Sequence, residues 1–514
     1  MAADVATDYA IEMIGITKRF GLLTANRDVS FAVRKGEIHA LVGENGAGKT
    51  TLMNVLFGMH LPDAGQIRVN GQQVDITSPQ VAIGLGLGMV HQHFKLVPSL
   101  TVAENIFLGM EIVRGGFIDR KAQAAAVRAL SVTSGLVVDP DRVVRDLSVG
   151  IEQRVEILKV LARGARIVIL DEPTAVLTPQ ESRDLFRTLR GFTDQGMTVI
   201  LISHHLDEVL DVSDTVTVLR DGAVIGTEPA KALTEARLAQ MMVGRPVDFG
   251  RKERQGTAGA PVLTLSRVHA RDDRGLPALS DVTLTVHAGE IVAIAGVDGN
   301  GQTELAEVVA GLRMPSFGDI ALNGHDIAGA PADIVRSAGL AHVPANRLVR
   351  GVDAQASITS NILMGRQNTA PFAKGGMIRW PRVRAEAAAL IKRFDIRTQG
   401  PAAPVKSLSG GNMQKVVLAR EFTQGKPFLL IDQPTRGVDI GATEGIHDEI
   451  MRRRAEGIAI LLISVQLDEC MKLADRLLVM FQGRVVADLD PLSATTNEIG
   501  MHMMGASQNR KVSA

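Results

Sequence analysis

The apolar positions of this chain form short runs without polar interruption, and these runs alternate with stretches of helical periodicity. Strands of this kind are buried on both faces, as in a parallel sheet that is covered by helices. The pattern therefore predicts an α/β fold in which a ligand binds at the carboxyl ends of the strands. The runs span residues 38–42, 167–170 and 199–202, and again 291–295, 428–431 and 458–463.

The polar segments that follow these runs occur twice along the chain. Residues 43–50 read Gly-Glu-Asn-Gly-Ala-Gly-Lys-Thr, and residues 296–303, 253 positions later, read Gly-Val-Asp-Gly-Asn-Gly-Gln-Thr. Further segments repeat at an offset of 261: residues 147–150 correspond to 408–411, residues 171–174 to 432–435, and Ser203 to Ser464.

This internal repeat predicts two homologous domains, although length by itself suggests about three. We expect the first domain at residues 1–246 and the second at 261–507. Residues 247–260, charged and then small, have no apolar periodicity and predict a short linker. Residues 508–514 are expected to form a tail.

The composition is that of a globular protein, with 46% hydrophobic, 22% charged and 3% aromatic residues. No apolar run approaches the ~20 residues that cross a bilayer, and no signal peptide is evident, so we expect a cytoplasmic chain. A formal net charge of zero gives no electrostatic sign of nucleic-acid binding. The single cysteine, Cys470, excludes internal disulfides and is expected to pack within a helix rather than react.

The first repeated segment matches a phosphate-binding loop, and the second departs from it at one decisive position. In such a loop, backbone N–H groups surround phosphates, a lysine reaches the β and γ oxygens, and a hydroxyl holds Mg²⁺. Lys49 and Thr50 meet this requirement, whereas Gln302 replaces the lysine in the second copy. The first copy is therefore expected to hydrolyse nucleotide and the second mainly to support it.

An acidic pair, Asp171 and Glu172, follows the apolar run at 167–170. An isolated pair of this kind is more typical of a solvated turn. Next to a phosphate loop and a downstream His204, however, it predicts that the aspartate holds Mg²⁺ and the glutamate orients or deprotonates the attacking water.

These motifs together resemble the ATP-binding cassette proteins. Residues 408–415, Leu-Ser-Gly-Gly-Asn-Met-Gln-Lys, are similar to the family's signature segment, and residues 171–174, Gln92 and Ser203-His204 fall at its Walker B, Q-loop and switch positions. The resemblance spans essentially the whole chain and implies, in each domain, a mainly parallel core sheet with an antiparallel β part and a helical subdomain. Fused tandem cassettes are similar to the ATPase subunits of bacterial simple-sugar and nucleoside importers. Residues 89–94, 296–302 and 433–437 favour the nucleoside branch.

The resemblance also implies that the two cassettes associate head to tail, so that each nucleotide lies between the phosphate loop of one domain and the signature segment of the other. We call the two composite sites site one and site two. Within site one, the catalytic residues would be Glu172, His204 and Gln92, and the Mg²⁺ ligands Thr50, Gln92 and Asp171. Its ATP-binding residues would be Phe20, Gly43, Asn45, Gly46, Gly48, Lys49, Thr50 and Thr51 of the first domain, and Ser409, Gly410, Gly411 and Asp439 of the second.

Site two collects nearly all the chemically unfavourable replacements. Gln302 lacks the positive charge, Gln433 cannot act as a base, Val465 offers no γ-phosphate contact and Ala345 has no side-chain oxygen for a metal. Random drift would scatter such changes over both sites, so their segregation supports the head-to-tail arrangement. Site two would comprise Gln302, Thr303, Ala345, Asp432, Gln433 and Val465 of the second domain, and Ser148, Val149, Gly150 and Thr178 of the first.

Two further observations from the sequence leave alternatives open. Phe20 lies where the family places an aromatic that stacks on adenine, but a core phenylalanine is equally compatible with the pattern. His91 and His93 flank Gln92 and suggest a metal pair, yet no third ligand is evident nearby, and such residues in a loop usually face solvent or a partner.

The resemblance predicts an ATPase subunit, using ATP and Mg²⁺, that powers import of a small polar solute. Its partners would be two integral-membrane permease subunits and, indirectly, a solute-binding receptor, with no nucleic acid, at the cytoplasmic face of the inner membrane. One alternative is a soluble tandem-cassette factor that acts on ribosomes or DNA, but such factors usually have a long charged linker or zinc-binding cysteines. A second alternative, a regulatory module that holds nucleotide without turnover, is disfavoured by Glu172 and His204.

Overall fold

The computed structural model describes residues 8–21, 23–91, 94–174, 177, 179–203, 205–246, 258–297, 299–438 and 440–505. The chain divides into two compact units, Met1–Val247 and Asp248–Ala514, which we call the first and second units. Most of the predicted linker, residues 247–257, lies outside the described residues. No helix in the described ranges is both long and apolar enough to cross a membrane.

The first unit is built from short strands and helices in alternation. Its strands are β1 (Tyr9–Phe20), β2 (Leu23–Arg34), β3 (Ile38–Val42), β4 (Ala64–Val69), β5 (Gln72–Val74), β6 (Leu87–Val90), β7 (Val113–Arg114), β8 (Phe117–Ile118), β9 (Ile167–Asp171), β10 (Thr198–Ile202), β11 (Thr215–Arg220) and β12 (Ala223–Pro229). Its helices are α1 (Lys49–Leu56), α2 (Pro79–Gly84), α3 (Val102–Ile106), α4 (Arg120–Ser134), α5 (Val149–Ala162), α6 (Pro179–Asp194), α7 (Leu206–Val212) and α8 (Glu235–Val243), with 3₁₀ turns at Val144–Asp146 and Ala230–Ala232.

The second unit repeats this order. Its strands are β13 (Pro261–Arg271), β14 (Pro277–His287), β15 (Ile291–Ala295), β16 (Phe317–Leu322), β17 (His325–Asp326), β18 (Leu340–Val343), β19 (Ala373–Lys374), β20 (Met377–Ile378), β21 (Phe428–Asp432), β22 (Ala459–Ile463), β23 (Arg476–Phe481) and β24 (Arg484–Leu489). Its helices are α9 (Gln302–Val309), α10 (Ala332–Ser337), α11 (Ile358–Leu363), α12 (Trp380–Arg393), α13 (Gly410–Phe422), α14 (Ile440–Ala455), α15 (Leu467–Leu473) and α16 (Thr496–Met503), with a π-helical turn at Arg347–Gly351 and a 3₁₀ turn at Val405–Ser407.

The predicted α/β fold is confirmed. The core sheet of the first unit has the strand order β12-β11-β3-β10-β9-β6, and that of the second unit has the order β18-β21-β22-β15-β23-β24. Every pairing in these sheets is parallel except the edge pairs β11–β12 and β23–β24. The six apolar runs correspond to β3, β9, β10, β15, β21 and β22, each within one residue of its predicted end.

The antiparallel β part that the family resemblance implies is confirmed, whereas the apolar pattern alone indicates helices on both faces of the core sheet, which is wrong for one face. In the first unit, α5 and α6 pack on one face, whereas α1 and an antiparallel sheet of order β2-β1-β4-β5 share a core with the other. The hairpin β1–β2 shifts its register between Met13 and Ile16. Such irregularities break the alternation of period two that marks a half-buried strand, so the apolar pattern did not separate this sheet from helices.

The strand register brings three separate loops to one edge of the core sheet. Within the first unit, Ile202 pairs with Asp171, and Leu201 pairs with Ala40 of β3, so the strands end side by side. The loops that begin at Gly43, Glu172 and Ser203 therefore emerge together, which is how parallel sheets assemble ligand sites.

A small helical core in the second unit supports the signature segment. Helices α11, α12 and α13 pack together through residues such as Ile362, Leu390 and Val416. The opposite side of α13, at Val417 and Leu418, packs against the core sheet. Helix α13, which begins within the signature segment, therefore packs against both the helical core and the core sheet of the second unit.

Candidate functional site

The loop between β3 and α1 requires glycine at its end. Gly48 has a φ of 98°, and a Cβ there would overlap the carbonyl oxygen of Ala25 and lie 2.6 Å from Nδ2 of Asn26. The buried Asn26 side chain donates to the Gly48 carbonyl at 3.1 Å and so fixes the turn into α1. Asn45 and Gly46 are exposed at the tip of the loop, where their backbone is open to a ligand.

Lys49, the first residue of α1, bends back over this loop. Its Nζ donates to the carbonyl oxygens of Gly43 at 2.6 Å and Glu44 at 3.0 Å, although the side chain is only 6% exposed. A buried ammonium group therefore lies inside the curve of the loop and next to the N-terminal N–H groups of α1, as a phosphate-binding loop needs. Thr50 and Thr51 follow it in the first turn of α1.

Thr50 and Asp171 offer oxygen atoms to a hard cation. The Thr50 hydroxyl donates to Oδ2 of Asp171 at 3.4 Å across 121 residues of sequence. Burial and the neighbouring Glu172 raise the pKa of Asp171 to about 6, against the opposing effects of Lys49 and Thr50. A cation beside this carboxylate would offset the cost of its charge, so the donor set fits Mg²⁺.

Glu172 occupies a backbone conformation that is unusual for a residue with a side chain. Its φ is 49°, and its N–H donates to the carbonyl oxygen of Ile202 at 2.9 Å. A left-handed non-glycine residue costs on the order of 1–3 kcal/mol, and such strain is concentrated at functional sites. The half-buried Glu172 is therefore held in a fixed turn at the edge of the sheet, directly after Asp171.

In the second unit, Gln302 takes the place of the lysine without its charge. Its Nε2 donates to the carbonyl of Val297 at 3.2 Å, the position that corresponds to Glu44, and a Cβ on Gly296 would overlap the same nitrogen. Its buried Oε1 has no hydrogen-bond partner within the described residues. The loop thus keeps its shape, but a neutral amide that bonds one carbonyl replaces a cation that bonds two.

Gln433 has the same backbone conformation as Glu172 but carries an amide in place of the carboxylate. Its φ is 51°, and its N–H donates to the carbonyl oxygen of Ile463 at 2.8 Å, as Glu172 does in the first unit. Its Oε1 accepts from the N–H of Val465 at 3.3 Å. Asp432 is buried before it at the end of β21, Thr303 is exposed at the start of α9, and Ala345 is half-buried after β18.

The two signature turns differ in how their helices begin. Ser409 caps α13, and its Oγ accepts from the backbone N–H of Asn412 at 3.4 Å and from its Nδ2 at 2.8 Å. Ser148 precedes α5 and makes no side-chain cap. Gly411 is buried and Gly410 half-buried, whereas Val149, the residue that replaces a glycine in the first unit, is 44% exposed.

Sequence reasoning missed two charged residues beside these turns. A Cβ on Gly410 would lie 2.6 Å from Nη2 of Arg347, and a Cβ on Gly150 would lie 3.0 Å from the carboxyl carbon of Glu181. Both charges come from other elements of their units. Their contacts arise from packing between elements, so no motif spacing could have revealed them.

Several predicted residues fall outside the described ranges, namely Gln92, His204 and Asp439, together with His93 and Thr178. Phe20 is 44% exposed at the end of β1, so it is not a core residue. Its ring lies edge-on to His60 at 5.3 Å, and Nζ of Lys18 is 5.6 Å from the ring centroid. Cys470 is fully buried in helix packing, as predicted, and burial raises the pKa of its thiol.

Comparison with known proteins gives matches along nearly the whole chain. Residues 26–175 and 279–436 each match the model of a protein family described as ABC transporter. The chain is 44% identical to the guanosine import ATP-binding protein of Bacillus subtilis, with 98% of each chain covered. It is 42% identical to a nucleoside import ATP-binding protein of Lactococcus lactis, over 98% of this chain and 100% of the relative.

A solved structure of an archaeal ribosome recycling factor in complex with a ribosomal stalk protein is also similar. The TM-score is 0.63 at 18% identity, over 96% of this chain and 92% of the other. At this level of identity, the likeness shows the shared fold of tandem cassettes and nothing further.

Proposed function

Since the chain belongs to the ABC transporter family, we propose that it is the ATP-hydrolysing subunit of an importer for a small polar solute, with a nucleoside favoured over a simple sugar. As a member of this family, the protein is an ABC-type ATPase. The observation that carries the proposal is the end-to-end similarity to guanosine and nucleoside import ATP-binding proteins, at 44% and 42% identity.

The phosphate loop of the first unit would hold the ATP of site one. Lys49, which now bonds the carbonyls of Gly43 and Glu44, has its charge inside the loop, where the β and γ oxygens of ATP would bind. Thr50 and Asp171 would hold Mg²⁺, with Gln92 as a further ligand. When bound, the Mg²⁺ would neutralise the charge that develops on the phosphates.

Glu172 would supply the general base. Its turn, fixed by the bond to Ile202, follows Asp171 directly, so the carboxylate lies next to the residue that holds the metal and can orient water for in-line attack on the γ-phosphate. His204 would steady that phosphate. The exposed ring of Phe20, flanked by Lys18 and His60, would stack on adenine.

Site one would be completed by the signature turn of the second unit. Ser409, Gly410 and Gly411 at the start of α13 would face the γ-phosphate, and Asp439 would contribute from the loop before α14. This crossed arrangement follows from the family resemblance. The domains at 1–246 and 261–507, with the linker at 247–260 and the tail at 508–514, are proposed to be the two cassettes.

Site two is expected to bind nucleotide without hydrolysing it. Thr303 and Asp432 remain for a metal, but Gln302 brings no charge, and charge-assisted hydrogen bonds are worth about 1.5–3 kcal/mol. Replacing Gln433 with glutamate should restore little hydrolysis in a Glu172→Gln complex, since Gln302, Ala345, Val465 and Val149 remain. The measurement compares phosphate release by the Glu172→Gln complex with phosphate release by the complex that carries both Glu172→Gln and Gln433→Glu.

The same complex tests whether site two has a structural role. With Glu172→Gln to prevent turnover, we expect about two nucleotides per chain in trapped complex, one for each composite site. Thr303→Ala combined with Asp432→Ala should lower that number and impair transport. One nucleotide per chain together with unimpaired transport by the double variant would contradict a role for site two.

We further propose that the chain associates with two integral-membrane permease subunits, at the cytoplasmic face of the inner membrane, and that a solute-binding receptor delivers the solute. The alternative of a soluble factor that acts on ribosomes or DNA has less support. Its basis is a likeness in fold at 18% identity, whereas the sequence similarity is to import ATPases.

Purification of the tagged chain from its native cells decides between these functions. The importer proposal expects integral membrane proteins to co-purify, and it expects ATP hydrolysis in the reconstituted complex to rise with receptor and nucleoside and less with pentoses. The Lys49→Ala variant should still co-purify but show no stimulation. Recovery of ribosomal RNA without membrane proteins would overturn the proposal.

A further inference from the structure

Arg347 connects three loop segments of the second unit through its guanidinium group. It begins the π-helical turn at Arg347–Gly351, two residues after Ala345. Its Nη1 donates to the carbonyl oxygen of Arg436 at 2.9 Å, and its Nη2 lies 2.6 Å and 3.5 Å from where a Cβ would stand on Gly410 and Gly437. The guanidinium thus lies against the signature turn and against the segment that leads to Asp439.

The surroundings of Arg347 are positive. Burial and the neighbouring Arg436 lower the pKa of the Arg347 guanidinium. Within the described ranges, neither arginine forms an ion pair with a carboxylate. An anion placed between the two guanidinium groups would be stabilised by both charges, and arginine is the side chain best suited to phosphate oxygens.

The first unit has an acidic side chain, in place of a basic one, beside the glycine of its signature turn. The positions that correspond to Arg347 and Arg436 are Phe94 and Ala175. The Glu181 carboxyl group instead lies where a Cβ on Gly150 would stand, and its counterpart in the second unit is Ala442. A guanidinium group therefore lies beside the signature turn assigned to site one, and a carboxyl group lies beside the turn assigned to site two.

We propose that Arg347 is a further ATP-binding residue of site one, which contacts the γ-phosphate together with the signature turn at Ser409–Gly411. This inference rests on the proposed function, because it requires that the second unit's signature turn close on the nucleotide held by Lys49. The difference in nucleotide binding between the two sites would then arise from the charged residue beside each signature turn as well as from the replacements in the phosphate loop.

The test compares ATP with ADP, which lacks the phosphate that Arg347 would contact. Binding is measured in the assembled complex that carries Glu172→Gln, in the presence of Mg²⁺, by displacement of a fluorescent nucleotide. Arg347→Gln should weaken ATP binding about 10- to 100-fold, the range of a charge-assisted hydrogen bond. ADP binding should change less than about twofold, within the error expected for an uninvolved group. Arg347→Lys, which keeps the charge but not the fork, should fall between wild type and Arg347→Gln for ATP.

Arg350→Gln is the matched control. It removes the same charge from the same turn, but Arg350 is paired with Glu307 at 2.6 Å and not with the signature turn, so both nucleotides should bind as in the parent complex. An equal loss of ATP and ADP affinity in Arg347→Gln, or a lowered melting temperature, would assign Arg347 a structural role and overturn the inference.

Lys49→Ala separates this inference from the proposed function. If Lys49→Ala loses ATP binding while Arg347→Gln retains it, the role of Arg347 is refuted and site one stands. If Lys49→Ala retains full ATP binding, the assignment of the phosphate loop is itself refuted.

Discussion

Replacing Glu172 with glutamine is expected to lower steady-state ATP hydrolysis by the assembled complex about 10²- to 10⁴-fold, the usual contribution of a general base. The physical reason is that Glu172 stands alone as the candidate base: the corresponding Gln433 accepts a hydrogen bond from Val465 but cannot take a proton from water. The isosteric amide should preserve the left-handed turn and its bond to Ile202, so folding and ATP binding should remain.

Release of inorganic phosphate from wild-type and variant complexes at saturating ATP measures the effect. Glu235→Gln is a suitable control, because it removes an exposed carboxylate from the first turn of α8 and should leave the rate unchanged. If Glu172→Gln retained about half of the wild-type rate, site two would have to contribute an equal share, and the model with one hydrolytic site would fail.

The second large effect is a contrast between the two signature turns. Gly410→Asp is expected to reduce hydrolysis at least about 10-fold, because it puts a carboxylate where the γ-phosphate would bind and a Cβ 2.6 Å from Nη2 of Arg347. Ser409→Ala should also impair hydrolysis strongly. The corresponding Ser148→Ala should change the rate less than about twofold, since an exposed serine without a cap contributes little.

Ser409 also caps α13 through Asn412, so stability must be measured alongside the rate. Loss of such a cap typically costs about 0.5–2 kcal/mol, which is visible in the melting temperature but does not by itself remove a site. Thr495→Ala, which removes a comparable cap from α16, controls for this loss. Equal impairment by Ser148→Ala and Ser409→Ala would contradict the crossed assignment of the two turns.

The core strands and the motif segments were predictable because their signals are local. A strand buried on both faces has no polar alternation, so β3, β9, β15 and β21 stand out as apolar runs that end at glycine or aspartate. The internal repeat then identified the second copy of each motif, so the replacement of the charged Lys49 by the neutral Gln302 was evident from the sequence. The apolar pattern did not reveal the antiparallel sheet around β1 and β2, because bulges interrupt its period of two, and only the family resemblance implied it.

Long-range contacts decided the remaining features. The amino-acid sequence determined the duplicated α/β architecture, through its internal repeat. It also determined the two glycine-rich loops and the acidic pair, since each of these is encoded within a few residues. Folding determined that Thr50 meets Asp171, that Gln302 bonds Val297 within an intact loop, and that Gln433 retains the left-handed turn of Glu172. The charges of Arg347 and Glu181 at the two signature turns likewise depend on packing between elements distant in sequence. Burial and neighbouring charges act through space, so the electrostatic character of each site becomes defined when the strands, turns and helices are assembled.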